Sequence, residues 1–418
     1  MLRTPVGFLA LLVANALHAQ ASLTLEQCIQ LAQGAPSSVA IARQQTVIAR
    51  YGLSAARAGL YPAITLQNGY TYTSPYGDSF RFVSLNAPRE YVNQGAADAV
   101  IDTSGRVRAE IARAKADQRL AQSNVAISQR DIRRLVTSAY YRLVLARRIV
   151  RVAQDALAES QRFQELTQKL FTGGEAAQAD VIKASSDTLF QQQSVSNAEL
   201  EAQLANHDLA SFWTPDVATM LNVVDPLDQM TPVAVTAETD RPFLQRPEFA
   251  ALTATRDGFL ADARRAKADL LPQMRISYLY GIDSYRLNYK DRGQAIIASL
   301  VIPVFDWHRT RNLVAQAQVQ ADQVETNRAI AERTFSREYQ DALARVNQFS
   351  GQLKLTDEQV RLSTENLRLS RVRYQGGEGL ALDVVSAQNQ LAQARANQFT
   401  AKANYANAKA DLEVAAGR

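Results

Sequence analysis

The stretch Phe171-Thr-Gly-Gly-Glu175 recurs 203 residues later as Tyr374-Gln-Gly-Gly-Glu378. The residues before the first copy, 106–172, include neither glycine nor proline, and those before the second copy, 304–375, include only Gly351. Runs of this length extend roughly 100 Å as single α-helices. A glycine pair supplies the left-handed conformation that ends a helix. We therefore expect two long helical hairpins, with tips at 173–180 and 376–383 and turns at Gly173, Gly174, Gly376 and Gly377.

A second motif supports the duplication. Ala56-Arg-Ala-Gly-Leu-Tyr-Pro62 is matched, at a spacing of 210 residues, by Ala266-Lys-Ala-Asp-Leu-Leu-Pro272. Two independent motifs that recur at nearly one spacing indicate a structural unit written twice. We predict a first repeat at residues 22–218, a linker at 219–241 and a second repeat at 242–418.

Apolar residues at heptad spacing indicate that the long helices have neighbours on two sides. One stripe recurs every seventh residue, at Tyr339, Val346, Leu353, Val360, Leu367 and Tyr374. A second stripe lies about 200° around the helix from the first and consists of Leu355, Leu362 and Leu369. A stave in a hollow cylinder wall needs two such stripes, whereas a helix in a two-stranded coiled coil needs one. A solid helical bundle is the alternative, but it would need more Leu, Ile and Phe and fewer Gln.

Short alternating segments predict a strand pair in each repeat, at about residues 63–101 and 273–303. One face of each pair is apolar and rich in tyrosine, which is typical of a membrane β-barrel wall and also of a half-buried soluble sheet. The residues on this face are Ile64, Leu66, Tyr70, Tyr72, Ile276, Tyr278, Tyr280 and Ile282. Four strands cannot close a barrel, and lipid does not tolerate open strand edges, so a membrane-spanning sheet requires several copies of the chain. Three copies would give twelve strands.

The first 21 residues are typical of a cleaved signal peptide, with Arg3, an apolar run from Val6 to Leu17, and small residues at Ala19 and Ala21. This run is too short to cross a membrane, and no later stretch of roughly 18 apolar residues follows it. We therefore expect an exported protein without a transmembrane helix. The only cysteine, Cys28, follows the leader in a helical pattern, and we interpret it as a small apolar helix residue.

Composition and motifs exclude several classes of function. A formal net charge of +5 over 418 residues is too small a surplus to indicate a nucleic-acid partner. The three histidines are scattered, and the sequence lacks the catalytic-serine, phosphate-loop and dinucleotide-binding motifs. We therefore expect no enzymatic activity, no cofactor and no bound metal.

The order of these signals resembles the TolC-type outer-membrane efflux protein family over essentially the whole chain after the leader. Further matching segments are Leu23-Thr-Leu-Glu-Gln27, Arg246-Pro-Glu-Phe-Ala250 and Pro303-Val-Phe-Asp306. The resemblance implies a fold that is mainly α with a small β part, assembled as a homotrimer. Such a trimer has a twelve-stranded transmembrane β-barrel in the outer membrane, a long α-helical barrel across the periplasm and an equatorial region around its middle.

The implied function is a passive exit duct of a tripartite efflux or type I secretion system. The implied partners are outer-membrane lipid, a periplasmic adaptor and an inner-membrane pump. Two other classes stay open from the residues alone. A periplasmic adaptor also carries a long helical hairpin, but one rather than two in tandem, and a structural coiled-coil protein would not need tyrosine-lined strands.

The resemblance also implies roles for three residues at the tip. In the family, a tyrosine at the position of Tyr374 bonds an aspartate at the position of Asp180 and holds the tip closed. Asp383 would form a ring of three carboxylates in a trimer, which would attract cations. The glycine turns would be where adaptors dock. Part of the family's gate is absent, since its arginine, threonine and second ring aspartate are replaced by Gly379, Ala179 and Ser386.

Overall fold

The structure of the chain is a computed structural model, which describes residues 22–74, 88–233 and 241–418. The predicted signal peptide lies outside the described residues, as do residues 75–87 of the first strand–strand loop and 234–240 of the linker. The helices are α1 (Leu25–Gly34), α2 (Ser38–Ala58), α3 (Arg106–Thr172), α4 (Gln178–Ala210), α5 (Pro247–Ala268), α6 (Arg309–Gln375) and α7 (Ala381–Ala415). The strands are β1 (Ala63–Tyr72), β2 (Arg89–Ile101), β3 (Gln273–Ser284) and β4 (Arg292–Val301).

The four strands form one antiparallel sheet in the order β1-β2-β3-β4, and the predicted fold class, mainly α with a small β part, is confirmed. Leu66 pairs with Gly95, and Gly95 pairs with Tyr280 on its other side. Directly paired residues share a face and side chains alternate along a strand, so all eight residues of the predicted apolar face lie on one side of the sheet. Within the described residues, β1 and β4 each pair on one side only, which leaves both edges of the sheet open.

The long helices follow the two runs 106–172 and 304–375, with one difference. Helix α3 occupies the whole of Arg106–Thr172, whereas α6 begins at Arg309 rather than near residue 304. The Asp306 carboxylate accepts the Thr310 N–H at 2.8 Å and caps the first turn. Trp307 and His308, in between, have φ values of 54° and 64°, which a right-handed helix cannot contain. Among the described residues, no helix combines the length and the apolarity needed to cross a membrane.

Contacts divide the chain into two compact units, and each unit draws on both predicted repeats. Among the described residues, the first unit contains 22–41, 127–233, 241–246 and 332–418, and the second contains 42–74, 88–126 and 247–331. The two units are defined by contacts in the structure, whereas the repeats were inferred from matching sequence motifs. The division into units therefore does not test the repeat boundaries, which stay a prediction.

In the first unit, one of the two predicted stripes on α6 is buried and the other is open. Val346 and Leu353 are 0% and 3% exposed and pack in one cluster with Tyr405 of α7. Leu355 and Leu362 of the second stripe are 71% and 54% exposed. The chain therefore covers one side of α6 with its own residues and leaves an apolar side uncovered.

The segment between α4 and α5 is anchored in the first unit by buried hydrogen bonds. The Tyr140 hydroxyl of α3 donates to the backbone carbonyl of Val224. Burial raises the pKa of the Tyr140 phenol, which keeps it protonated and able to donate. Asn206 of α4 accepts the Leu221 N–H at 2.9 Å and donates to the Thr219 carbonyl at 2.8 Å. These bonds satisfy polar groups that would otherwise be buried without partners.

A cluster of ion pairs holds the same segment against α3 and α7. Arg148 pairs with Asp225 and, at 2.5 Å, with Asp228, and the Lys402 ammonium lies 3.5 Å from Asp228. Partial burial opposes ionisation of Asp228. The hydrogen bonds and charges of Arg148 and Lys402 outweigh it and hold the pKa of this carboxyl below its usual value.

We expect the Asp228 cluster to lose its stabilising effect in acid. A carboxyl whose pKa is lower in the folded than in the unfolded protein stabilises the fold above its unfolded pKa, about 3.9, and ceases to do so as the pH falls through the folded value. In urea unfolding, Asp228→Asn should therefore be less stable than the wild type at about pH 6, and the difference should shrink toward about pH 3. A difference that does not change with pH would contradict this assignment.

The second unit packs its helices through small side chains and ion pairs. Ala116 of α3 and Ala261 of α5 are buried, and Arg119 pairs with Asp257 at 3.0 Å. Small buried residues let helix backbones approach closely, which accounts for the high alanine content of these segments.

Candidate functional site

Both predicted hairpin turns end their helix in the same hydrogen-bonded arrangement. After α3, Gly174 has a φ of 79°, and the N–H groups of Gly174 and Glu175 donate to the carbonyls of Phe171 and Leu170 at 3.0 and 2.8 Å. After α6, Gly377 repeats this geometry with a φ of 74° and bonds of 3.1 and 2.9 Å. This is the Schellman motif, which satisfies the last carbonyls of a helix and requires a left-handed residue.

We expect the second turn to depend on Gly377 and not on its neighbour. Gly377→Ala places a Cβ at a left-handed position and should destabilise the turn by about 1–2 kcal/mol. Gly376→Ala is the matched control, because Gly376 is not left-handed and an added Cβ would meet only ordinary contacts, with the Val372 carbonyl oxygen at 3.5 Å. Amide hydrogen exchange at the end of α6 should accelerate in the first variant only. Equal exchange in the two variants would contradict the assignment.

The two tip aspartates have different surroundings. The Asp383 carboxylate accepts the backbone N–H of Leu380 at 3.3 Å and so caps the start of α7. Asp180 lies half-buried in the first turn of α4, and its side chain forms no hydrogen bond or ion pair with any described residue. Between residues 22 and 418, leaving out the undescribed segments, no group of His, Cys, Asp or Glu is arranged to hold a metal ion. The ring of three Asp383 carboxylates stays a prediction, since it requires other copies of the chain.

Tyr374 lies in an apolar cluster at the tip, which we call the tip core. It is 7% exposed, and its ring packs edge-on against Phe163, with centroids 5.2 Å apart. Its hydroxyl is buried and forms no hydrogen bond with the described residues. Burial raises the pKa of this phenol. The Thr167 hydroxyl lies close enough to oppose the shift but does not meet the geometry of a hydrogen bond, and the charge of Asp180 adds to the shift. The Tyr374–Asp180 bond is thus not formed in this conformation of a single chain, although Asp180 is near enough for its charge to act, and the latch stays a prediction.

Above the tip core, a polar cluster of three buried residues and the half-buried Asn389 joins three helices. Its members are Ser160 of α3, Asp187 and Gln191 of α4, and Asn389 of α7, and we call it the polar clasp. Ser160 Oγ donates to Asp187 Oδ2 at 2.8 Å, and Asn389 Nδ2 donates to Asp187 Oδ1 at 3.2 Å. Gln191 Nε2 donates to Asn389 Oδ1 at 2.7 Å. One carboxylate therefore accepts a bond from each of the two hairpins.

The clasp was not predicted from the sequence. The available signal was spacing, since Asp187 follows Asp180 by seven residues and so lies on nearly the same face of α4. Which polar residues meet it from α3 and α7 depends on how the hairpins pack, and no local pattern reports that.

Comparison with known families identifies this architecture. The sequence profile of the family described as outer membrane efflux protein matches residues 28–213 and 243–418, which is most of the chain. The chain belongs to the outer membrane efflux protein family. This family consists of outer membrane efflux channels and is not a family of enzymes. A search of curated protein sequences found no match.

Solved structures show the same fold as this outer membrane efflux protein at low sequence identity. The outer membrane protein VceC from Vibrio cholerae is 18% identical with a TM-score of 0.81, and the match covers 94% of this chain and 96% of VceC. A membrane protein from Pseudomonas aeruginosa is 18% identical with a TM-score of 0.84 and coverages of 94% and 92%. The CmeC outer membrane channel from Campylobacter jejuni is 17% identical with a TM-score of 0.81 and coverages of 94% and 85%.

Within this outer membrane efflux protein, Gly379 stands where the resemblance implies a gate arginine, and it lies in a tight turn. A Cβ added at Gly379 would lie 3.0 Å from the backbone nitrogen of Tyr374 and 3.2 Å from Arg373 Cβ. The turn is therefore too tight at this point to hold a side chain without shifting. Ala179 and Ser386, where the resemblance implies a threonine and a second ring aspartate, are exposed.

Proposed function

We propose that three copies of this chain assemble into an outer-membrane exit duct that passively conducts substrates delivered by a periplasmic adaptor and an inner-membrane pump. The observation that carries the proposal is the open four-stranded sheet. One of its faces is apolar, and both edge strands leave backbone groups unpaired within the described chain. In lipid such edges are stable only if they pair, and three copies joined edge to edge would close a barrel of twelve strands.

The helices support the same assembly. The exposed stripe on α6 and exposed residues of α4, namely Ile182, Leu189 and Phe190, leave apolar surface without a partner in the chain. Large apolar residues that recur along one side of a helix and stay exposed indicate a surface that a partner covers. Neighbouring copies would cover it and complete a helical barrel.

The two hairpin tips are the proposed periplasmic end of the duct. Their glycine turns would contact the adaptor, and Asp383 of three copies would form a ring that favours cations. The latch between Tyr374 and Asp180 would form in the assembled, closed tip. Localisation in the outer membrane would follow export by the cleaved leader at residues 1–21.

Conductance across planar lipid bilayers tests this function. Purified protein should partition with outer membranes, insert and give discrete single-channel steps. Tyr374→Phe and Asp180→Ala should raise the conductance of the closed channel. In the single chain the Tyr374 hydroxyl has no partner, so a change in Tyr374→Phe would report a bond made only in the assembly. Absence of channel steps in the wild type would contradict the proposal, and unchanged conductance in both variants would contradict the latch.

A further inference from the structure

The polar clasp is not explained by the stability of the fold alone. Ser160, Asp187 and Gln191 are 1%, 7% and 5% exposed, and Asp187 has no cationic partner among the described residues. Burying a carboxylate without a counter-charge costs several kcal/mol, and apolar residues of similar size at such sites often stabilise a protein more. In some proteins a buried polar network of this kind serves instead to specify one particular arrangement of the elements that it joins.

The clasp occurs at only one of two equivalent places in the duplicated unit. The residue that corresponds to Asp187 at the repeat spacing of 203 is Gln390, and it bonds Asn366 at 3.2 Å. That bond joins α6 to α7 and so lies within one hairpin. The Asn389 bonds, in contrast, join α7 to α4 and cross from one hairpin to the other.

The surface between the two hairpins is also incompletely bonded in this conformation. Gln388 Nε2 donates to the Glu159 carbonyl at 3.2 Å, but its Oε1 is buried and accepts no bond from a described residue. The Tyr374 hydroxyl, at the same surface, is likewise buried without a partner. Unsatisfied buried polar atoms are costly and uncommon in native proteins. Their presence beside a satisfied clasp indicates a surface that can adopt a second arrangement.

We infer that the polar clasp is a second latch of the duct, in which Asn389 holds α7 against α4 above the tip and must release Asp187 and Gln191 when the channel opens. The inference rests on the proposed channel function and assigns a gating role to residues outside the tip. Ser160 has a positioning role. Its bond to Asp187 lies within the first hairpin and orients the carboxylate toward Asn389 without joining the two hairpins. Tip and clasp are seven residues apart along α4, about 10 Å, so the two latches would restrain one movement.

The test compares single-channel recordings of Asn389→Ala and Asn366→Ala. The first variant removes both clasp bonds that cross from α7 to α4 and should raise the open probability about tenfold, which corresponds to about 1.4 kcal/mol. The second is the matched control, because it removes an amide–amide bond of the same kind within one hairpin. It should leave the open probability unchanged. If Asn389→Ala does not fold, Gln191→Leu removes one of the two bonds and leaves both bonds to Asp187 in place, with an expected increase of about threefold.

Equal open probabilities in the wild type and Asn389→Ala, or in the wild type and Gln191→Leu, would overturn the inference. If Asn389→Ala lowered the melting temperature but left the open probability unchanged, the clasp would have a purely structural role. That result would also overturn the inference. The same recordings distinguish failure of the proposed function from failure of the second latch. A wild type without channel steps would contradict the channel function. A wild type that conducts, with clasp variants that open equally often, would contradict the second latch only.

Discussion

Leu66→Lys should abolish insertion of the protein into the membrane, whereas Gln67→Lys should be tolerated. Leu66 lies on the apolar face of β1, where it is 72% exposed, and the next residue faces the other way. A lysine on the lipid face of a membrane barrel costs about 2–4 kcal/mol near the bilayer midplane, and a trimer would bear this cost three times. Each 1.4 kcal/mol is about a tenfold change, so inserted protein should fall below detection.

Membrane fractionation of the two variants measures this effect. Gln67→Lys is the matched control, because it adds the same charge to the same strand on the opposite face. If both variants insert equally well, the apolar face does not meet lipid. The sheet would then be a half-buried soluble sheet, the alternative that alternation alone leaves open.

Leu353→Ala and Leu355→Ala, two residues apart on α6, should weaken different properties. Leu353 is 3% exposed and packs with Val346 and Tyr405, so its truncation leaves a cavity and should lower the free energy of unfolding by about 2–5 kcal/mol. Leu355 is 71% exposed, so its truncation should leave the stability of the chain nearly unchanged. It should weaken association instead, because a neighbouring copy would cover this stripe.

Two measurements separate these effects. Urea unfolding followed by circular dichroism reports the stability of the chain, and the temperature at which the assembly dissociates in detergent reports association. The second stripe would lose its assigned role if Leu355→Ala lowered chain stability as much as Leu353→Ala. An unchanged dissociation temperature of the Leu355→Ala assembly would also contradict a role of this stripe in association.

Much of the fold was predictable because local chemistry decides it. Helix α3 fills the run of residues without glycine or proline and ends at the glycine pair. Heptad spacing distinguished the stripe with Leu353, which the chain buries, from the stripe with Leu355, which it leaves open. Strand alternation located the apolar face because the period of two is a property of the backbone.

Other features depend on contacts between segments that are distant in sequence. The exact start of α6 was not predictable, because Trp307 and His308 are left-handed although neither is a glycine, so the run after Pro303 begins five residues before the helix. The partners of Asp187 come from α3 and α7, and the lack of a partner for the Tyr374 hydroxyl is visible only once both hairpins are placed. Family resemblance indicated a tip gate but not the clasp above it.

The number of chains in the assembled particle tests the central claim most directly. Native mass spectrometry of the protein extracted from membranes in detergent counts the chains without reference to any substrate or partner. We expect a particle of three chains, since three four-stranded sheets close a barrel of twelve strands. A particle of one or two chains that nonetheless conducts ions across a bilayer would contradict closure of the sheet by identical copies.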